Sequence, residues 1–369
     1  MSQVPLSSSF DTPIDTRPMM DWNTMAWIDL WFEFIAISSI LFYIACYYIG
    51  NSKNLRIARY WAQANISVWK ENFAHVGNED HKLVKDGPRD YIYYGSGRIY
   101  VQTCYALLRL VARHDPIQYI FDYFAGKDLY DRVTIDVLIT ETVCDSIVFA
   151  LLPRKTATNV LKTRWDLDNF PKPRDMTGFP KEHYTMLTDC PEFTNVLWAS
   201  PKVKKAFWKS LGLDEQGQGE LNTHPIIEQI SFTDLPYEKP KKLEDLAQPK
   251  MLQFVFRLPD FDKADASTTA YQRELSELVM EVIDIIGKHG KLSHEAKSKS
   301  IRLREIAARE IMRAEEEERK AVLADQKIKE KKEKMNEILK LSPESQRKAE
   351  AKLKKKEAKK LQSKRTKRA

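Results

Sequence analysis

The sequence predicts an α+β cytosolic domain behind one N-terminal transmembrane helix, closed by a long charged helical or coiled-coil tail. Three observations carry this. Met25 to Ile49 is long and apolar, RVTIDVLI and similar segments alternate at the period of a half-buried strand, and residues 291–369 are rich in Ala, Glu, Lys, Arg and Leu/Ile. The expected organisation is a short lumenal N-terminus (1–24), the transmembrane helix (25–49), the α+β domain (50–290) and the tail (291–369).

Along the chain, MAWIDLWFEFIAISSILFYIACYYI comes first. As a helix it rises about 37 Å, against a hydrocarbon core of about 30 Å. Trp22, Trp27 and Trp31 mark one end and Tyr43, Tyr47 and Tyr48 the other, as aromatic belts do, and Phe34–Ile49 carries no charge. Residues 51–70 hold Lys53, Arg56, Arg59 and Lys70 with no acid, whereas residues 1–24 hold three Asp and only Arg17. The positive flank places everything after Gly50 in the cytosol. No basic n-region or cleavage site precedes the segment, so a cleaved signal peptide is not expected. Asp29 and Glu33 share one helix face and serve either lumenal headgroups or a membrane partner.

A second helix capped by Asn51 or Ser52 is expected next, its stripe running from Leu55 through Trp69 to Phe73 and Val76 before Gly77. HKLVKDGPRD is turn-rich. Strands follow at Tyr91–Tyr94 and Ile99–Tyr105, with Gly95-Ser96-Gly97 read as a tight turn and not as a phosphate loop. Asp115-Pro116 opens a helix through Phe124. RVTIDVLI and SIVFALL are strand candidates, followed by a helix from about Lys155 to Trp165 and a surface loop over 166–190. Two short helices, Pro191–Ala199 and Pro201–Leu211, lead to the strands IIEQISF and MLQFVFRL. Tyr271 to Ile286 then forms a broad apolar stripe on a helix ending at Gly287 or Gly290. The mixture favours an α+β domain over a doubly wound sheet.

Charge is unevenly placed. Residues 291–369 hold 27 Lys/Arg against 14 Asp/Glu, a net of +13, which leaves residues 1–290 at −6 within the overall +7. Ser293 is positioned to cap a long helix that restarts at Ser342-Pro343-Glu344; no a/d seam persists for three heptads, so a helix on a partner or in solvent is favoured over a homodimer. The final cluster is Lys352, Lys354, Lys355, Lys356, Lys359, Lys360, Lys364, Arg365, Lys367 and Arg368. Without an aromatic side chain it suits phosphate backbones and cannot stack on bases. Its candidate partners are ribosomal RNA, anionic headgroups or import factors.

Catalytic motifs do not emerge from the sequence. The histidines at 75, 81, 114, 183, 224, 289 and 294 form no metal-binding pattern, and Asp166-Leu167-Asp168 and Asp260-Phe261-Asp262 read as solvated turn acids. No cofactor, metal or catalytic residue is assigned, and an enzyme is unsupported. Cys46, Cys104, Cys144 and Cys190 read as reduced, packed thiols. Asn65-Ile66-Ser67 is a formal glycosylation sequon that a cytosolic position should leave unmodified.

Several stretches resemble the calumin family, also called coiled-coil-domain-containing protein forty-seven. They are NSKNLRIARYWAQANISVWKENFAHVG, Ser96-Gly97-Arg98, the VFALLPRK run from Val148, MLQFVFRLP and the tail SPESQRKAEAKLKKKEAKKLQ. The resemblance covers nearly the whole chain after residue 35. It implies an endoplasmic-reticulum membrane subunit beside the Sec61 translocon, working with the small membrane chaperone Asterix. Such a subunit helps client multi-spanning proteins insert, and its domain and tail touch the ribosome near the exit tunnel. The resemblance also implies one difference: the family's animal members carry a long acidic lumenal segment tied to calcium binding, which the three Asp of residues 1–24 do not reproduce, as in a fungal or distant member. The contrasting expectation is a membrane-tethered enzyme or lipid-binding protein whose tail attaches to headgroups.

Overall fold

The computed structural model describes residues 31–77, 83–126, 129–214, 218–222, 224–261 and 266–339. The chain begins with α1 (Trp31–Asn72), followed by β1 (His75–Val76), β2 (Leu83–Lys85), β3 (Asp90–Ser96) and β4 (Val101–Arg109). Next come α2 (Pro116–Phe124), β5 (Arg132–Ile139), β6 (Phe149–Pro153), α3 (Arg154–Thr163) and α4 (Trp165–Asn169). β7 (Lys172–Arg174), β8 (Tyr184–Thr188), α5 (Pro191–Ala199), α6 (Pro201–Ser210), β9 (Ile227–Thr233), β10 (Met251–Arg257), α7 (Ala266–His289) and α8 (His294–Leu339) complete the order.

The strands join in one ten-stranded sheet, β1-β3-β4-β5-β10-β9-β6-β8-β7, with β2 also on β3. Every named pair is antiparallel. Strict alternation explains the centre: Val133, Ile135, Val137 and Ile139 of β5 turn to one face with Leu252, Phe254 and Phe256 of β10, all buried. That face is covered by the second half of α1 and by α5, α6 and α7. On α7, Leu275, Leu278, Val279, Val282, Ile283 and Ile286 are each essentially solvent-free, a contribution of about 2 kcal/mol apiece. Beside them, Trp61 and Trp69 of α1 pack edge to face on Tyr93. A smaller core of Val148, Ala150, Leu152, Leu167, Phe170 and Leu187 lies under α3 and α4 on the other face.

Four expectations need correction. No cap forms at Asn51 or Ser52: α1 runs unbroken for 42 residues, because Gly50 can stay helical where a Cβ would stand 2.2 Å from the Arg113 carbonyl oxygen. That helix also stops at Asn72, since His75 and Val76 pair with Ser96 and Gly95. Residues 166–190 are not a surface loop but contain α4, β7 and β8; β8 pairs with β6 and is almost wholly buried. Asp166 is not solvated, because Arg164 holds it with two hydrogen bonds, at 3.1 and 2.6 Å, in a site with no exposure. Arg164 also donates to Ser231 at 3.2 Å and lies over the Tyr237 ring, so the pair belongs to a polar lane on the sheet.

The remaining thiols fit expectation: Cys104, Cys144 and Cys190 are free and buried. Burial pushes the Cys144 thiol up to about 11 and Cys104 further. Asn65 is fully buried, its amide donating to the Trp61 carbonyl at 2.8 Å and its oxygen accepting from Ser276 at 2.7 Å. The sequon is therefore inaccessible in the folded chain whichever side of a membrane it occupies.

Candidate functional site

Two places on the body connect to the features read as functional: the foot of the apolar helix and the root of the tail. From Trp31 to Ile49 the side chains of α1 are exposed, apart from the half-buried Cys46; from Gly50 onward the same helix enters the core. The nineteen residues from Trp31 to Ile49 rise about 28 Å, close to the hydrocarbon thickness. Among the described residues this is the one helix long and apolar enough to cross a membrane.

At the changeover a polar clasp locks helix to sheet. Asn54, fully buried, donates to the carbonyls of Pro88 at 3.0 Å and Val111 at 3.1 Å and accepts from Arg113 at 3.1 Å. Arg113 in turn makes a two-point pair with Asp131, at 2.8 and 2.9 Å, and Asp131 also accepts from the Val111 amide at 2.8 Å. Asn54, Arg113 and Asp131 thus partner one another, and these bonds offset the cost of taking them out of water. Beside it the His114 ring meets Tyr47 edge on at 6.0 Å, and burial lowers the imidazole pKa.

The tail is rooted by residues 297, 300 and 304 of α8, which recur on one helix face. Lys297 pairs with Asp145 at 2.8 Å, Ser300 donates to the Ser146 carbonyl at 2.7 Å, and Arg304 takes Asp234 while standing 3.6 Å from Asp189. Asp189 is buried, and burial raises its pKa to about 6 against the pull of the Val148 amide and Arg304. Ile311 is the last buried side chain; beyond it every described side chain of α8 is exposed.

Of the residues expected to act, Glu33 lies in the exposed first turn of α1. Asp29 and the ten cations from Lys352 to Arg368 fall outside the described residues, so the structure brings none of them together. Among the described residues no group of three His, Cys, Asp or Glu is placed to hold a metal. One cleft, about 420 Å³, is open and lined by Arg89, Arg109, Arg132, Asp122 and Glu228. Arg113, Asp131, Arg304 and Asp234 were not legible as functional, since their partners lie 18 to 70 residues away.

This architecture, an exposed apolar rod built into an antiparallel α+β body with a charged helical arm, accompanies a match to a family model. The model, described as PAT complex subunit CCDC47, covers residues 29–360. The chain belongs to the CCDC47 family. Relatives named PAT complex subunit CCDC47 include one from Danio rerio, 25% identical over 299 residues, or 76% of this chain and 57% of the relative. Another, from Xenopus laevis, is 26% identical over 294 residues, 74% of this chain and 56% of the relative. An uncharacterized protein of Arabidopsis thaliana is 26% identical over 287 residues, 74% and 55%. The chain thus spans a little over half the length of these relatives.

Proposed function

We propose that the chain is an endoplasmic-reticulum membrane subunit of a PAT-type complex that helps multi-spanning proteins insert and fold. In this reading α1 crosses the bilayer with residues 1–24 in the lumen, and the α+β body stands on the cytosolic surface. The observation that carries it is α1 itself: one uninterrupted helix is exposed and apolar in its first half and core in its second. Such a helix leaves no flexible linker between membrane and body, so the body stays at the membrane surface in a set orientation.

Asp29 and Glu33 then face either lumenal headgroups or a membrane partner such as Asterix, and the body lies beside the Sec61 translocon. From Ile311 to Leu339 the arm reaches about 42 Å, carrying the cluster from Lys352 to Arg368 toward ribosomal RNA near the exit tunnel. An enzyme is not needed by this reading; positioning is the activity.

The test is co-sedimentation of the detergent-solubilised chain with ribosomes and, in parallel, with anionic vesicles. Ribosome binding that depends on residues after Leu341 supports the proposal. Binding to vesicles alone would instead make the chain a lipid-attached protein.

A further inference from the structure

We infer that α2 is a second membrane contact, an interfacial helix that lies along the bilayer surface with its apolar face in the lipid beside the exit of α1. The inference rests on α1 as the membrane span. In a water-soluble helix the polar side faces out; α2 is inverted. Gln118 and Asp122, one turn apart and hydrogen-bonded at 2.8 Å, are the half-buried pair, and both line the body's cleft with Pro88, Arg89 and Ala112. The outward side is Ile117, Tyr119, Ile120, Tyr123 and Phe124, with Ile117 at 70% and Phe124 at 81% exposure.

The place of the helix identifies what covers that side. Its N-cap, Asp115, accepts from the amides of Ile117 and Gln118 and directly follows His114. His114 is the residue whose ring touches Tyr47 and whose backbone nitrogen would sit 2.4 Å from a Cβ on Gly50. The exposed apolar surface of α1 ends at Ile49, and the His114 contacts start α2 beside the point where α1 leaves the hydrocarbon. Nine residues rise about 14 Å, too short to cross but long enough to lie in the headgroup boundary. Tyr119 and Tyr123, one turn apart, place phenol rings suited to that boundary. Lys85, which donates to Asn51 at 2.7 Å, supplies positive charge beside the last exposed turn of α1, complementary to lipid phosphates, while Arg89 is paired with Asp90 at 3.6 Å.

The test uses the full chain with Cys46→Ser, the other thiols being buried, in nanodiscs of phosphatidylcholine and phosphatidylserine whose only other protein is the scaffold belt. Spin labels are placed singly at Ile117→Cys, Ile120→Cys and Phe124→Cys, with Ile40→Cys on α1 and Ile306→Cys on α8 as references. The measurement is relative collision with oxygen and with a water-soluble nickel chelate. The expected result is a severalfold higher oxygen-to-nickel ratio at 117, 120 and 124 than at 306, approaching the ratio at 40. Nickel access at α2 equal to that at 306, with 40 still lipid-exposed, overturns the α2 contact and leaves the span standing; this is the result a protein partner for α2 would produce. Dipolar broadening between labels on separate copies overturns it in favour of self-association. Nickel access at 40 as well overturns both the span and the inference.

Discussion

Arg304 and Asp234 form a two-point guanidinium–carboxylate pair, with Nε donating to Oδ2 at 3.0 Å and Nη2 to Oδ1 at 2.5 Å, both side chains largely out of solvent. This contact turns a solvent helix into an arm with a fixed root. Arg304→Met removes the partner of two nearby carboxylates, Asp234 and Asp189. It should weaken docking of α8 by about 3 kcal/mol. Hydrogen exchange is expected to show lost protection over residues 294–311 with β5 and β10 unchanged; unaltered protection at the root would refute the role.

Asp189 makes the same junction pH-dependent. Its carboxyl sits at about 6 in the folded chain against 3.8 in the open chain, because burial disfavours the charge. The folded state therefore holds the proton more tightly. That contribution is complete below about pH 4 and is lost as pH rises through 6, an amount on the order of 3 kcal/mol. Asp189→Asn keeps an oxygen for the Val148 amide and should flatten this decline, so that its advantage over the unmodified chain grows between pH 4 and 6 in denaturant melts. A constant difference across that range would contradict the assignment.

Gly50 sets the close approach of α1 to the Arg113–His114 backbone. Gly50→Val should cost about 2 kcal/mol or more by forcing that backbone away and opening the Asn54–Arg113–Asp131 clasp. Gly87→Ala, where a Cβ meets nothing within 4 Å, is the control and should melt as the unmodified chain does. Equal melting temperatures for all three would mean that the joint carries no strain.

Orientation calls for a reporter other than Asn65, whose burial makes its silence uninformative. Ser7→Asn creates the sequon Asn-Ser-Ser in the segment expected to be lumenal. In microsomes this variant should gain an endoglycosidase-sensitive mass shift, while protease added outside digests α8. An unshifted Ser7→Asn chain whose α8 is protected would reverse the topology.

The tail should bind as a polycation. With roughly five phosphate contacts the slope of log affinity against log salt is about −4, so raising salt from about 50 to about 200 mM weakens ribosome binding by a few hundredfold. Truncation after Leu341 is expected to remove most of that slope and leave the melting of the body intact. Identical salt dependence for both chains would move the attachment to the body.

Legibility followed the range of the interactions. Strand β5 and helix α2 were read to the residue because alternation in RVTIDVLI and the Asp115-Pro116 start are local signals. β8 was missed because Tyr184–Thr188 follows a Pro- and Asp-rich stretch, and only pairing with β6, some 35 residues earlier, makes it a strand. The continuity of α1 was missed because Gly50, Asn51 and Ser52 look like a stop, whereas the Arg113 backbone needs a glycine at that contact.

By itself, then, the sequence determined the apolar span, the α+β class, the basic tail and the family resemblance, since each is written in composition or short-range period. Tertiary structure alone decided that α1 is one rod, that α2 turns its apolar face outward, that Asp166 is buried beside Arg164 and that Arg304 anchors the arm. Those outcomes depend on which surfaces, distant in the chain, meet in space, and a side chain's environment is set by that meeting and not by its sequence neighbours.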